Sequence, residues 1–413
     1  MTSVALREAT VDDLDVVVGW IDSVDAMVSW SGDAFAWPLS KAQVVAALEQ
    51  GDTRTFAALD SSEALTGFAR LTRVAAETVQ VGWIVVDPAR RGERIGAALV
   101  QALVAEAFAM AGVQRLELAV LRDNVTARRL YHRAGFKPTA PAGEFRAEGR
   151  SWIGLRMALL NPALLSADPI FSDPRLAKVY DPLDPDRSDL DHYLALATEL
   201  GAHSVLDVGC GTGTFGVLLA QAGFEVTGVD PAAASIEVAR GKPGADAARW
   251  VHGLAQDALP LQVDLVTMTA NVAQVFVSDA EWAQVLAAAH AALKPGGHLV
   301  FETRDPARRA WQHWTPENSY FSGEVPGVGP ITTWDEVIDH FEQWVTFRWT
   351  MQFPAEDEAL TSTSTLRFRP QDELRTSLAE ASFGVVEVQD APDRPGLEWV
   401  FIARKLSPPE TLA

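Results

Sequence analysis

Residues 205–213 read Val-Leu-Asp-Val-Gly-Cys-Gly-Thr-Gly, an apolar run that meets an acid and then three alternating glycines. A second apolar run over 225–229 ends on Asp230. In an α/β sheet the first strand–helix turn is where a cofactor meets a helix N-terminus, and an acid ending the second strand can grip ribose hydroxyls. The spacing is G-x-G-x-G, not the G-x-G-x-x-G of dinucleotide enzymes. A different set stands in the first half. There Arg90-Arg91-Gly92-Glu93-Arg94-Ile95-Gly96-Ala97 follows an apolar stretch over 79–86. Glycines at a helix mouth bring N–H groups close to an anion, the helix dipole adds partial positive charge, and arginines add charge-assisted contacts.

The elements that must hold these residues follow from periodicity. Residues 79–86 predict a buried strand, and Ile95, Leu99, Leu103 and Phe108 a helix behind the arginines. A strand over 115–120 follows, with Leu116, Leu118 and Val120 alternating against Glu117. In the second half, strands are expected over 204–208, 225–229, 263–269 and 298–302, with a helix over 215–221. Ser278 and Glu281 form an S-x-x-E capping box that opens a further helix, which ends at Leu293-Lys294-Pro295-Gly296-Gly297. Two last strands, near 383–388 and 397–403, close the sheet as a hairpin. The expectation is an α/β chain of two domains, with a β-rich cap inserted in the second.

At 413 residues the chain is too long for one ordinary core. Four Asp-Pro pairs between 161 and 191 bar one continuous helix there, because a residue before proline avoids the helical region. The expected division is 1–160, a linker and docking segment over 161–190, and 191–413 with the cap at about 304–370. Residues 1–160 hold 17 Lys+Arg against 19 Asp+Glu, so most of the net charge of −21 falls in the second half. So acidic a domain repels a polyphosphate backbone, which favours small-molecule partners over nucleic acid. No apolar stretch approaches a membrane span, the first residues lack a signal-peptide pattern, and the single cysteine, Cys210, fits a reducing cytoplasm. Oligomeric state is not legible.

In the first half, strand, R-x-x-x-x-G-A helix, strand and then Asn124-x-x-Ala127-x-x-Leu130-Tyr131-x-x-x-Gly135-Phe136 resemble the Gcn5-related N-acetyltransferase (GNAT) family, loosely over 1–158. The resemblance implies a mixed, splayed sheet and acetyl-CoA as cofactor. The N–H groups of Arg91, Gly92, Glu93, Arg94, Ile95, Gly96 and Ala97 would cradle the pyrophosphate. The edge at Ile84, Val85 and Val86 would pair with the pantetheine amides, and Asn124 would contact the CoA arm. Tyr131 would protonate the departing thiolate. Arg94 stands where the family usually has its middle glycine. Asn124 also reads as a helix N-cap, and Tyr131 as a core aromatic. The acetyl-accepting side is less determined: Glu117 and Asp33 are candidate bases, and the aromatic run over 30–37 (WSGDAFAW) shapes either an acceptor pocket or a helix staple.

The loop over 205–213, with the K-P-G-G-H-L-V-F-E turn over 294–302, resembles the class I methyltransferases, a Rossmann-like fold, over about 175–405. That resemblance implies S-adenosylmethionine (SAM) as methyl donor. Gly209, Gly211 and Gly213 would admit its methionine part, and Asp207 would organise the loop or meet the amino group through water. Asp230 would accept the ribose hydroxyls. Leu254, with Ala255 beside it, takes the place of an acid that often meets the adenine amine, so either a backbone carbonyl serves or Asp257 does from a shifted register. Tyr180, Arg187, Asp191 and Tyr193 lie on a segment that can lid the cofactor. Asn271, past a central strand, faces the transfer point or caps a helix. Trp311, Trp314, Trp334, Trp344 and Trp349 line an acceptor site or form the core of an added sheet. Together the halves imply a bifunctional transferase for small molecules, as in natural-product or antibiotic modification. The alternatives are one catalytic head with a cofactor-sensing partner domain, or modification of a protein terminus or RNA. No metal site is expected.

Overall fold

Residues 79–86 alternate apolar and polar side chains, and the strand they form becomes the centre of a sheet with a helix layer on each face. In the computed structural model, which describes residues 4–49, 51–353 and 358–406 (backbone alone at 140–142), the chain forms two compact units, Met1–Leu164 and Leu165–Ala413.

The first unit runs β1 (Ala5–Glu8), α1 (Asp13–Gly19), α2 (Val24–Ser31), α3 (Lys41–Leu48), β2 (Thr53–Leu59), β3 (Leu65–Ala75), β4 (Thr78–Val86), α4 (Ile95–Ala109), β5 (Arg115–Leu121), α5 (Val125–Arg133), β6 (Lys137–Ala147) and β7 (Arg150–Leu160). Its sheet has the order β1-β2-β3-β4-β5-β7-β6, antiparallel except for the β4–β5 pair. That pair holds only from Thr78↔Arg115 to Gln80↔Glu117, after which the strands part. This is the splay the sequence implied. A bulge sits where Phe68↔Val85 gives way to Arg70↔Gly82, and Trp83 there has φ +53. It re-aims the strand. Val79 and Val81 pack with Leu99, Leu116 and Tyr131, whereas Trp83 and Val85 pack on the other face with Trp30, Phe35 and Phe68.

The second unit begins with α6 (Pro169–Ser172), α7 (Pro174–Leu183) and α8 (Asp189–Glu199), so the Asp-Pro segment is broken helix. Asp173 caps α7 by accepting the Arg175 N–H at 2.8 Å, and Pro182 falls in the last turn. Then come β8 (Ser204–Val208), α9 (Thr214–Gln221), β9 (Glu225–Asp230), α10 (Ala233–Gly241), β10 (Ala248–His252), β11 (Val263–Met268), α11 (Asp279–Ala292) and β12 (Leu293–Arg304). The order β10-β9-β8-β11-β12-β18-β17 is parallel through β12 and ends in the antiparallel hairpin β17 (Phe383–Asp390) and β18 (Glu398–Lys405). The direction of winding reverses between β8 and β11, the crevice where such sheets bind ligands. Ser278 Oγ accepts the Glu281 N–H at 3.0 Å and Glu281 accepts the Ser278 N–H at 2.9 Å, so the capping box forms. The Lys294–Gly297 turn expected after α11 is instead a bulge inside β12, between Val263↔Leu293 and Leu265↔His298. Between β12 and β17 the chain inserts α12 (Pro316–Ser319), a separate antiparallel sheet β13 (Phe321–Val325), β14 (Gly329–Phe341), β15 (Trp344–Phe353) and β16 (Glu358–Arg367), and α13 (Gln371–Glu380).

Candidate cofactor sites

In the first unit, residues 81–86 of β4 and 118–121 of β5 run on without pairing to each other, so Ile84, Val85 and Val86 face β5 across an open gap. Unpaired strand edges are templates for an extended amide chain. A short 3-10 turn (Pro88–Arg90) then leads to Gly92 at φ +90 and Arg94 at φ +62, which precedes α4 as its N-cap. The middle position of the arginine–glycine motif is therefore left-handed, which explains why glycine suits it and arginine strains it. Arg91, Gly92, Glu93 and Arg94 are exposed, and the Ile95 and Gly96 N–H groups belong to the helix's orphan first turn. Ala97 N–H is already bonded to the Arg94 carbonyl. Arg90, not part of the expected cradle, is held by Asp60 and Glu93.

Asn124 caps α5: its Oδ1 accepts the Ala127 N–H at 3.1 Å, while its Nδ2 donates to Ser29 at 3.0 Å. Tyr131 is 8% exposed and packs edge-on to Phe136. Burial pushes its hydroxyl pKa up, so it holds its proton at neutral pH. Glu117 is not brought to it. The carboxylate pairs with Arg115 at 2.7 Å on the face opposite Leu116 and Leu118, against which Tyr131 packs. Asp33 is exposed, and the 30–37 run is a core: Trp30, Phe35 and Trp83 lie with ring centroids 5.1–5.8 Å apart.

In the second unit Gly209, Gly211 and Gly213 have φ of +70, +51 and +77. A methyl on Gly209 would come within 2.7 Å of Val272, and one on Gly213 within 2.6 Å of Ala239 and 2.7 Å of Trp250. At Gly211 it would meet nothing within 4 Å, so the loop is packed below and open above its middle glycine. Asp230 accepts the Gly211 N–H at 2.9 Å and the Ala232 N–H at 2.8 Å, which ties the second strand to the loop and leaves each oxygen one lone pair. Burial raises its pKa. Asp207 is 1% exposed, accepts from Thr267 Oγ1 at 2.8 Å, and burial pushes its carboxyl up to about 7. It lies under the loop. Cys210 is buried too, its thiol pushed up by the same desolvation.

At the adenine end Asp257 Oδ2 accepts the Leu254 N–H at 2.7 Å and closes a 3-10 turn. Leu254 is half-buried and Ala255 buried beside it.

Two groupings escaped the sequence reading because their members lie far apart in the chain. Asp181 accepts from Thr212 Oγ1 at 2.6 Å and from Thr214 Oγ1 at 3.2 Å, and pairs with Lys242 at 2.7 Å. This latch fastens α7 beside the glycine loop. Tyr180 on α7 is tilted against Phe171 and its hydroxyl pKa is raised by burial, whereas Arg187 pairs with Asp189 and Asp191 is exposed. At the carboxyl edge Asn271 (φ +60) donates its N–H to Glu302 at 2.9 Å and Nδ2 to Glu398 at 2.8 Å, with its Oδ1 buried and unpartnered. Tyr193 hydrogen-bonds Glu302, and Arg394 pairs with Glu398 at 2.7 Å. Ala270 is also left-handed, and such strain, about 1–3 kcal/mol per residue, collects at functional sites. In the inserted sheet Trp311 and Trp344 are core residues, with Trp314 and Trp349 packed against them or against α7's Leu176 and Val179; Trp334 is half-buried.

Comparison with known proteins assigns these two frames. Residues 24–136 match the acetyltransferase (GNAT) family model, and residues 205–297 match a methyltransferase domain model. The chain joins a GNAT acetyltransferase domain to a methyltransferase domain. S-adenosylmethionine and acetyl-CoA are the cofactors of those families. Among curated relatives, the ubiquinone biosynthesis O-methyltransferase of Serratia proteamaculans is 34% identical over 30% of this chain and 51% of its own length. A protein named as a methyltransferase in Geobacillus sp. (strain WCH70) is 25% identical over 50% of this chain and 85% of its own. The chain spans about half the length of the first curated relatives it matches. The solved CcbJ methyltransferase of Streptomyces caelestis is 21% identical, covering 56% of this chain and 96% of that one at a TM-score of 0.46. Among the described residues no helix is long and apolar enough to cross a membrane, and no cluster of metal-binding side chains occurs.

Both sites fit their groups. The space over Gly211 and the free lone pairs of Asp230 suit a ribose-bearing ligand, and the parted strands beside Arg91 and Arg94 suit a long amide-containing pyrophosphate.

Proposed function

We propose that the chain is a bifunctional transferase: an acetyl-CoA-dependent N-acetyltransferase joined to a SAM-dependent methyltransferase, both acting on small molecules such as natural products or antibiotics. The observation that carries this is that each unit keeps its own open cradle, the β4–β5 gap in one and the space over Gly211 in the other. Acetyl-CoA supplies an acetyl group and SAM a methyl group.

In the first unit the N–H groups and arginines of 91–97 hold the pyrophosphate, and residues 84–86 hold the pantetheine. Glu117 takes the proton of an incoming ammonium on its face of the sheet. Acetyl-CoA, when bound, would supply the acetyl group to that amine, and Tyr131 would give its proton to the departing thiolate. Positioning supplies most of the rate, with proton transfer adding roughly 10²–10⁴-fold. In the second unit Asp230 receives the ribose hydroxyls, Leu254 and Ala255 flank the adenine, and Tyr180 covers the loop from α7. Asn271 presents its unpartnered Oδ1 to the acceptor. Methyl transfer needs an aligned nucleophile, so positioning by Asn271 suffices.

Titration calorimetry of the whole protein with acetyl-CoA and SAM separately tests this. Two independent one-to-one isotherms are expected. Silence from either donor removes that half of the proposal and leaves the cofactor-sensing alternative for neither domain that stays silent.

A further inference from the structure

The face of the first unit's sheet that bears Trp83 also bears Arg70, Gln80, Gly82, Glu117 and Ala119, by strand alternation and register. Ala119 is exposed, as is Arg156 opposite it on β7. Arg70, Gln80, Gly82 and Glu117 are half-buried, so this stretch of the face lies beside the β4–β5 gap and is not closed over.

Arg70 stands out on it. The guanidinium lies 4.0 Å over the Trp83 ring, and Trp83 is itself fixed by Trp30, whose indole N–H donates to the Trp83 carbonyl at 2.7 Å. The guanidinium lies over Gly82, where a methyl would be in ordinary contact with Arg70 Nη2 at 3.6 Å. Its polar partnership is one long contact, 3.4 Å, to Gln80; Nε is buried with no partner, and no carboxylate of the described residues pairs with it. A partly buried cation lacking a counter-charge is costly. A guanidinium stacked on an indole keeps its edge free, and that edge matches a carboxylate in bidentate fashion.

We propose that the amine acetylated by the first unit carries a carboxylate, which Arg70 holds while Glu117 faces the ammonium. This rests on the acetyltransferase reading above. Arg70 is then a specificity-determining residue.

The test uses the full chain with acetyl-CoA, reading free thiol release. The amines are the standard L-amino acids, each beside its carboxamide, with ethanolamine and putrescine as carboxylate-free amines. At least one amino acid should exceed its carboxamide tenfold or more in kcat/KM. R70Q should erase that ratio through KM, with kcat within a few-fold and acetyl-CoA affinity by calorimetry unchanged. R70K keeps the charge but not the fork and should retain part of the ratio; it replaces R70Q where the latter is unfolded by circular dichroism. The proposal is overturned if carboxamides or putrescine are acetylated as well as the acids, if the ratio survives R70Q, or if every amino acid is silent while acetyl-CoA is bound. Absence of acetyl-CoA binding overturns the acetyltransferase reading instead.

Discussion

The two cradles solve one problem, holding a nucleotide-bearing donor at a helix mouth, by opposite means. In the second unit the loop is locked from below. Gly209 and Gly213 have no room for a methyl, Asp207 is buried beneath, and Asp230 ties two backbone N–H groups together. In the first unit the mouth is exposed, its left-handed position is held by an arginine, and the gap arises because two strands stop pairing. The difference teaches why one motif is strict and the other tolerant. Steric contact on both sides of a loop admits only glycine, whereas an exposed turn admits any residue that bears about 1–2 kcal/mol of left-handed strain.

Four measurements break or sharpen this contrast. The largest effect is expected from buried charge. With its folded pKa near 7 and its unfolded pKa in the ordinary carboxylate range, Asp207 binds more protons folded than unfolded between those values. Stability of the second unit should therefore fall as pH rises from about 4 to 7, by at most about 4 kcal/mol from this group. D207N should flatten that slope, read by denaturant unfolding at several pH values; an unchanged slope removes Asp207 as its source. Next, G213A should destabilise the second unit by about 3 kcal/mol, from strain plus overpacking against Ala239 and Trp250. G211A should lose only about 1 kcal/mol yet weaken SAM binding, and equal losses in both variants would contradict a loop open at its middle. Third, Y131F should slow acetyl transfer on the order of 100-fold with acetyl-CoA affinity retained. A wild-type rate would make Tyr131 a core aromatic and nothing more. The smallest effect is the most direct contrast. R94G should stabilise the first unit by up to about 1 kcal/mol while weakening acetyl-CoA a few-fold through the lost cation, the reverse in sign of G213A.

Much of this was legible because it is local. The glycine loop, Asp230, the Ser278 box and the Asn124 cap depend on residues a few positions apart, and their elements stand within a residue or two of where periodicity puts them. The alternation Val79, Val81, Trp83, Val85 shows the limit. Read as a pattern it is one buried face, but the bulge at Trp83 divides it between two cores. Spacing puts Leu254 at the adenine, with Asp257 the shifted-register alternative, and only the fold shows Asp257 bonded to the Leu254 N–H.

What the chain's letters determined by themselves is which backbone can reach which conformation: glycine where φ is positive, proline where a helix must break, apolar runs where a strand is buried. What only the tertiary structure decided is which polar groups are left with work to do. The Asp181 latch, the Asn271 network with Glu302 and Glu398, and the uncompensated Arg70 join or separate residues 13 to 127 positions apart. Hydrogen bonding and desolvation act through space, and no spacing along the chain encodes whether a counter-charge will arrive.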